Sequence, residues 1–413
     1  MKRFALLFAA LLSASSLAAQ GSVLVVDPSN GPGTDFTTLA DALTAAVDGD
    51  FLLLRTGDHP PATLDGKALF LIEDEGATAT IDKLTVQDVP AGKSVVVRGV
   101  EIDTGTTSAG SLFLQDCAGT VWFEDCQVSD TVRVACVTCR DCASVVFVDC
   151  GMSGGSESAC GATGALTTLR SNVFLFDTTI QGVDGYVLSF PPFCCELVDG
   201  QEAVRLEDGT LWVQGSALTG GYGGWNTNPS SCIGASSGGA GLALRGTAPV
   251  ASVLDSTLMG GFGGLGYCGP DGSDGPPIDM PVGTVDTIAA SARTLEIPSP
   301  VQVGGDVTLT WHGEPTDRAF LLYSLRVGPG QLLSRLLVPA LVIGPSFLAA
   351  PRKVVAAGVL DGSGTLLEPV SLAGLDTGLE GLSVYVQGLL FDVSRHEFLL
   401  SNPAHALLLD LGG

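Results

Sequence analysis

The sequence predicts an all-β chain: a right-handed parallel β-helix with an N-terminal capping helix, followed by a small C-terminal β-sandwich. Three observations predict it. A two-strand phrase with a short polar corner recurs at 111–128 (SLFLQDCAGTVWFEDCQV), 142–152 (CASVVFVDCGM), 165–180 (ALTTLRSNVFLFDTTI), 203–218 (AVRLEDGTLWVQGSAL) and 241–258 (GLALRGTAPVASVLDSTL). In each copy an alternating apolar run ends at Asp125, Asp149, Asp177, Gln214 or Asp255, a small residue follows, and a Val, Ile, Met or Leu stands two positions later. Such repetition belongs to stacked coils, in which matching letters become vertical neighbours. Only one stretch has a convincing helical period, and 55 glycines with 6% aromatic residues describe a turn-rich β chain.

The elements follow in order. Residues 1–20 read as a secretory signal, with Lys2 and Arg3, an apolar stretch from Phe4 to Leu12, and small residues up to a cleavage point between Ala18 and Gly21. A strand at 23–26 and a polar loop at 27–35 lead to the helix, in which Phe36, Leu39, Ala40, Leu43, Ala46 and Val47 share a face. Thr34 or Asp35 would cap it, and Gly49 stands just past its end. Such a helix would cover the open strand edge that a stack of coils exposes.

Strands at 51–55, 68–72 and 94–97 precede the repeats, whose corners then lie 24, 28, 37 and 41 residues apart. The strand phrase stays constant while its connector lengthens, so the added residues form loops on one side: 182–200, 220–239 and 260–275. About eight coils, each rising about 4.8 Å, are expected between 50 and 283. The domain reading is therefore β-helix 21–283, linker 284–293 and C-terminal β-sandwich 294–413. Short strands at 307–311, 320–327, 354–360, 382–389, 398–400 and 406–409, separated by Gly, Pro and Asp turns, suggest the sandwich.

Charge narrows the partners. The formal net charge is -25, and removing a signal with two basic residues takes it to about -27. Nucleic acid and anionic lipid need a basic stripe that this chain lacks. The signal's apolar stretch is too short to span a bilayer, and 335–351 is broken by prolines and a glycine, so no membrane span is expected. An exported monomer, extracellular or at the cell surface, is the expectation.

The opening VLVVDPSNGPGTDFTTLADALTAAVDGDFLLLRTGDH and the V-x-F-x-D-C phrases resemble the secreted right-handed parallel β-helix proteins of the pectin-lyase-like superfamily, over about residues 22–283. The resemblance implies the fold and an association with polysaccharide. It does not transfer a catalytic set. The hydrolases of that superfamily use three Asp with a His and a Lys, yet His59 is the one histidine in the coils; its lyases join a calcium-binding acidic cluster to an Arg or Lys, yet Arg98, Arg133, Arg140, Arg170, Arg205 and Arg245 are scattered singly.

All eleven cysteines lie in the β-helix. Cys136, Cys139 and Cys142 form C-x-x-C-x-x-C, a zinc or iron–sulfur spacing in a cytosolic protein, but export favours disulfides. Cys126 and Cys150 occupy the same corner one coil apart, at a separation a disulfide tolerates, although two buried thiols fit as well. Cys160, Cys194, Cys195, Cys232 and Cys268 in the loops are further disulfide candidates, and one of eleven is left over. The Asp125, Asp149, Asp177 and Asp255 ladder reads as bend residues bonded to backbone N–H groups. No cofactor is implied; calcium would partly suit Asp271-Gly-Ser-Asp274-Gly, which lacks the other ligands and reads as a glycine turn.

Tyr222, Trp225 and Asn226 in one loop and Tyr267 in the next are the candidate ligand-binding residues, since exposed rings stack on sugar faces while an amide bonds hydroxyls. The competing reading buries those rings among the loops. Two functions therefore stand. The first is a non-catalytic scaffold or adhesin-like protein that binds extracellular carbohydrate or cell-surface material through its Gly-rich, Cys-containing loops. The alternative is a polysaccharide lyase or glycoside hydrolase with an acidic cleft on the coil face.

Overall fold

The computed structural model describes residues 21–104, 110–130, 135–154, 164–185, 198–225, 234–266, 269–324, 354–372 and 381–409. The N-terminal part is a parallel β-helix whose coils each contribute strands to three faces. In one coil these are Leu112–Gln115, Thr120–Glu124 and Gln127–Ser129, paired in parallel and in register with Val137–Arg140, Ser144–Val148 and Gly151–Ser153 of the next. Among the described residues the third face holds eight strands, from Gly57–His59 to Thr257–Met259. Inward side chains such as Val121, Phe123, Val145, Phe147, Val173 and Leu175 fill one continuous core.

Corners follow from backbone geometry. Asp125, Asp149, Asp177 and Asp255 turn from the second face to the third at φ 54, 51, 49 and 45°, a left-handed conformation that Asp tolerates better than most residues. In the Val204–Gln214 coil the corner is Gly215, at φ 63°, and Gln214 is the buried strand end facing Phe176 and Leu254. A second Asp column, Asp88, Asp116, Asp141 and Asp208, makes the turn between the first and second faces.

The capping helix is shorter than its periodicity suggests, running Leu39–Ala45 with Thr38 as N-cap. Phe36 instead bridges Val26, and Asp35 accepts the Val25 N–H, so the chain before Thr38 is held in extended form. Lys67 donates to the carbonyls of Leu43, Thr44 and Ala46, satisfying acceptors at the helix end. The other end of the stack also differs from expectation. Thr284–Ile288, within the expected linker, pairs in parallel with Val250–Leu254 and is the last strand of the second face.

The C-terminal part forms two sheets. One joins Thr294–Glu296, Asp306–His312 and Thr365–Ser371 antiparallel; the other orders Val301–Gln302, Glu397–Leu409, Gly381–Asp392, Arg318–Ser324 and Val354–Val359. Leu295, Leu309, Trp311, Leu321, Val384 and Ala406 share a core between them. The strands expected at 398–400 and 406–409 are one, Glu397–Leu409, carrying Pro403 within it.

This domain folds back onto the second face of the β-helix. There the outward side chains Phe51, Phe70, Val96, Trp122, Val146, Phe176, Trp212 and Leu254 form one apolar cluster with Tyr385 and Leu407. Tyr385 tilts against Trp122, with ring centroids 5.6 Å apart, and its hydroxyl lies 3.2 Å from Ser94 Oγ. Buried Arg293 pairs with Asp317 at 2.6 Å and Asp392 at 3.1 Å within the C-terminal part, and its carbonyl accepts from Gln214 Nε2 of the β-helix at 3.3 Å.

Candidate functional site

The loops after the third face form a lattice of extended segments in two layers. Segments 182–185, 219–224 and 259–266 make one layer: Gly182 and Gly185 donate to the carbonyls of Thr219 and Tyr222, and Gly220 and Gly223 donate to those of Met259 and Phe262. Segments 198–201, 235–239 and 270–275 return beneath them, with Gly200 donating to Ser237 and Gly238 to Ser273. Bonds also cross between layers, from Gly221 to Gln201, Gly239 to Gly221, Gly261 to Gly239 and Gly275 to Gly261.

Close approach explains the glycine. A Cβ on Gly221 would stand 1.9 Å from the Val183 carbonyl oxygen, and one on Gly261 1.9 Å from that of Gly221. In an extended chain with three residues per turn, two residues of each turn therefore face neighbouring segments and must be small, and the third faces solvent. The sequence states this period: Gly220-Gly221-Tyr222-Gly223-Gly224-Trp225 and Gly260-Gly261-Phe262-Gly263-Gly264-Leu265.

The third positions make a ridge. Tyr222, Trp225, Phe262 and Leu265 are 42, 61, 67 and 55% exposed, and Tyr222 and Phe262 stack with centroids 5.9 Å apart and planes 7° from parallel. Met259, one period before Phe262, is also exposed. Backbone bonded on both layers fixes the ring positions, the Ser236 hydroxyl accepts the Gly224 N–H, and carboxylates accept three further amides. Asp184 accepts the Tyr222 N–H at 2.8 Å, Asp274 that of Gly263 and Asp271 that of Gly266, both at 2.9 Å. Partial burial holds the Asp184 carboxyl above its usual range, against the opposing bond from Tyr222.

Tyr222 and Trp225 thus stand exposed, contrary to the reading that buries them among the loops. Asn226 and Tyr267 lie outside the described residues, as do Cys160, Cys194, Cys195, Cys232 and Cys268. Phe262 and Leu265 were missed by reading rings and amides alone; the three-residue glycine period finds them. Asp271 and Asp274, half of the calcium-like spacing, serve as amide caps.

The described cysteines are free thiols. Cys117, Cys126, Cys136, Cys139, Cys142 and Cys150 are buried and unpaired by disulfide, which corrects the expectation for Cys126, Cys150, Cys136, Cys139 and Cys142. The reason is visible in the stack. Cys126 and Cys150 each donate from Sγ to the carbonyl two residues back, at 3.3 Å, as Thr178, Ser216 and Ser256 do from their hydroxyls at 2.9, 2.9 and 2.8 Å in the following coils. Thiol and hydroxyl fill the same inner corner. Burial pushes the Cys136 thiol up to about 12, far from the reactive thiolate form.

A second group of polar side chains lies on the second face. Glu124, 3.6 Å from Arg98, is buried, and burial pushes its carboxyl up to about 7 against the pull of Arg98 and the Trp122 indole N–H. Asp177 is pushed up to about 7 by burial, then by Asp149, Glu296 and Asp255; Asp149 is raised by burial and by Asp125. The C-terminal sheet lies over this face: Arg98 donates to the His405 carbonyl, and the His405 ring stacks on Phe70. His405 itself is held neutral, down to about 3, by burial and by Arg98. Glu124 is therefore enclosed and Arg98 partly so, whereas Asp125 and Asp149 stand at the corner, where Asp149 keeps solvent contact although neighbouring groups desolvate its carboxyl.

Strand pairing makes this a parallel β-helix protein with antiparallel C-terminal sheets packed along one coil face. Among solved structures, the crystal structure of pectate lyase Pel9A is similar over 62% of this chain and 80% of that chain, at 9% sequence identity and a TM-score of 0.28. No protein-family model matches the sequence, and no curated protein matches it.

Proposed function

We propose that this is an exported, non-catalytic β-helix protein of the pectin-lyase-like superfamily that binds extracellular carbohydrate through the ridge on its glycine lattice. The observation that carries the reading is the Tyr222–Phe262 stack, exposed beside Trp225 and Leu265 on a backbone with little freedom to collapse. Preorganised rings lose little entropy on binding, and their flat faces suit the apolar faces of sugars. The export signal at 1–20 and the acidic surplus agree with a soluble extracellular setting.

Co-sedimentation with insoluble polysaccharides tests it. Wild-type protein should be retained by at least one glycan, and Trp225→Ala with Phe262→Ala should lower retention at least tenfold without changing the circular dichroism spectrum. Equal retention of the double variant rejects the ridge as the site. One observation favours a second reading, a hydrolase or lyase: the corner carboxylates Asp149 and Asp177 are one rung apart, about 4.8 Å, with raised proton affinity. Turnover of a polysaccharide panel that disappears in Asp177→Asn, with binding retained, would favour that reading instead.

A further inference from the structure

Carboxylates stand beside the ridge, and among the described residues no ion pair balances them. The three insertions, 182–200, 220–239 and 260–275, contain no lysine or arginine, and their described residues carry four carboxylates: Asp184, Asp199, Asp271 and Asp274. Asp184, Asp271 and Asp274 accept the N–H groups of Tyr222, Gly266 and Gly263, which fixes these charges beside the rings. Asp199 accepts the Ser237 N–H in the layer beneath. The arginines in the adjoining strands are already paired, Arg205 with Glu207 at 2.7 Å and Arg245 with Glu202 and Asp279 at 3.5 and 2.5 Å.

We propose that the ridge takes an uncharged, flat-faced polysaccharide and rejects polyuronates, an inference that rests on the carbohydrate-binding reading above. A polyuronate brings one carboxylate per sugar to a surface with several fixed negative charges and no compensating base. Its repulsion is incompletely screened over the Debye length of about 10 Å at 0.1 M salt. A neutral glycan meets no such cost. Along each segment the ridge residues recur every three positions, about 9 Å in an extended chain of this kind, and the Tyr222–Phe262 stack ties the two segments' ridges together. Trp225 and Tyr222 can thus underlie alternate sugar rings of one extended chain. Because each ridge-side carboxylate already accepts a backbone N–H, specificity comes from stacking and like-charge exclusion.

The test uses the full chain and two sets of probes: cellulose, a β-1,3-glucan and xylan as neutral glycans, and polygalacturonate and alginate as polyuronates, in 50 and 500 mM NaCl without divalent cations. At 50 mM salt, retention by at least one neutral glycan should be at least tenfold stronger than by either polyuronate, and it should change less than twofold at 500 mM. Ser273→Lys, at an exposed lattice position, should raise polyuronate retention at 50 mM salt while leaving neutral retention unchanged. Polyuronate binding equal to or tighter than neutral binding overturns the charge inference while leaving carbohydrate binding standing. Failure to bind any glycan overturns both.

Discussion

Gly261→Ala should open the loop lattice while leaving the coils beneath it folded. The new Cβ would lie 1.9 Å from the Gly221 carbonyl oxygen and 2.5 Å from its carbon, backbone atoms that have no rotamer to yield. Restoring an ordinary contact of 3.4 Å or more requires a shift of about 1.5 Å, enough to break a hydrogen bond of normal length. Four bonds depend on this segment: Gly261 to Gly239 (2.9 Å), Gly275 to Gly261 (2.8 Å), Gly220 to Met259 (2.9 Å) and Gly223 to Phe262 (2.7 Å). At about 1 kcal/mol net for each bond, and with about 0.4–1 kcal/mol recovered from the stiffer unfolded chain, local stability falls by about 3 kcal/mol. Amide exchange at Gly220, Gly223 and Gly275 should accelerate about 100-fold, since 1.4 kcal/mol is a factor of ten. Gly362→Ala is the control: nothing lies within 4 Å of its Cβ position, and it should be neutral or slightly stabilising. Unchanged exchange in Gly261→Ala would refute the close-packed lattice, and with it the fixed ring positions.

Three further outcomes follow from the same geometry. Cys150→Ser should change stability by less than about 1 kcal/mol, because a serine can donate to the Val148 carbonyl as Ser216 does to Gln214; loss of a cystine would cost about 2–5 kcal/mol, which chemical denaturation without reductant distinguishes. Phe147→Asp aims a charge into the coil core beside Phe123 and should prevent folding, whereas Val146→Asp lies beneath the C-terminal sheet and should free that domain to limited proteolysis with the coils intact. For Glu124, the folded pKa of about 7 exceeds the ordinary 4.5, so its contribution is full below pH 4.5 and is lost as pH rises through 7. The stability of Glu124→Gln relative to wild type should therefore climb between pH 4.5 and 7, by on the order of 3 kcal/mol, read from urea midpoints. His405 has the opposite sign, its contribution lost as pH falls toward 3, but it is common to both proteins and cancels in the difference. A flat difference would contradict the burial of Glu124.

The coil register was legible because an in-register parallel stack repeats its chemistry at every rung: small residues after the corners, and Val, Ile, Met or Leu two positions beyond them. What escaped was whatever depends on the far side of a strand. The runs Val121-Trp122-Phe123 and Val145-Val146-Phe147-Val148 look like the core-facing half of an alternating pattern, but all are buried, because the C-terminal sheet covers Trp122, Val146 and Val148 from outside. Unbroken apolar runs of this kind belong to strands enclosed on both faces. The Gln214 corner was misplaced by one residue because Gly215 supplies the left-handed turn without an Asp to mark it. Of the candidate site, the rings at 222 and 225 were legible from composition alone, whereas Phe262 and Leu265 emerge only when glycine spacing is read as a three-residue period.

The two apolar surfaces explain each other's fate. The second face presents Phe51, Phe70, Trp122, Val146, Phe176 and Trp212 over successive coils, a stripe too large to leave in water, and the C-terminal domain removes it with Tyr385 and Leu407. Among the described residues the aromatic side chains on the lattice have no such cover. They could avoid water only by folding inward, and the glycine packing forbids that, because a carbonyl oxygen stands where any inward Cβ would go. An exposed ring normally escapes water through backbone or rotamer adjustment; here the backbone is bonded across both layers, so Tyr222 and Phe262 can cover only each other, and Trp225 remains open. Keeping large rings in solvent on a scaffold that prevents their collapse is a standing cost in free energy, which the proposed binding of a partner with a flat apolar face would offset.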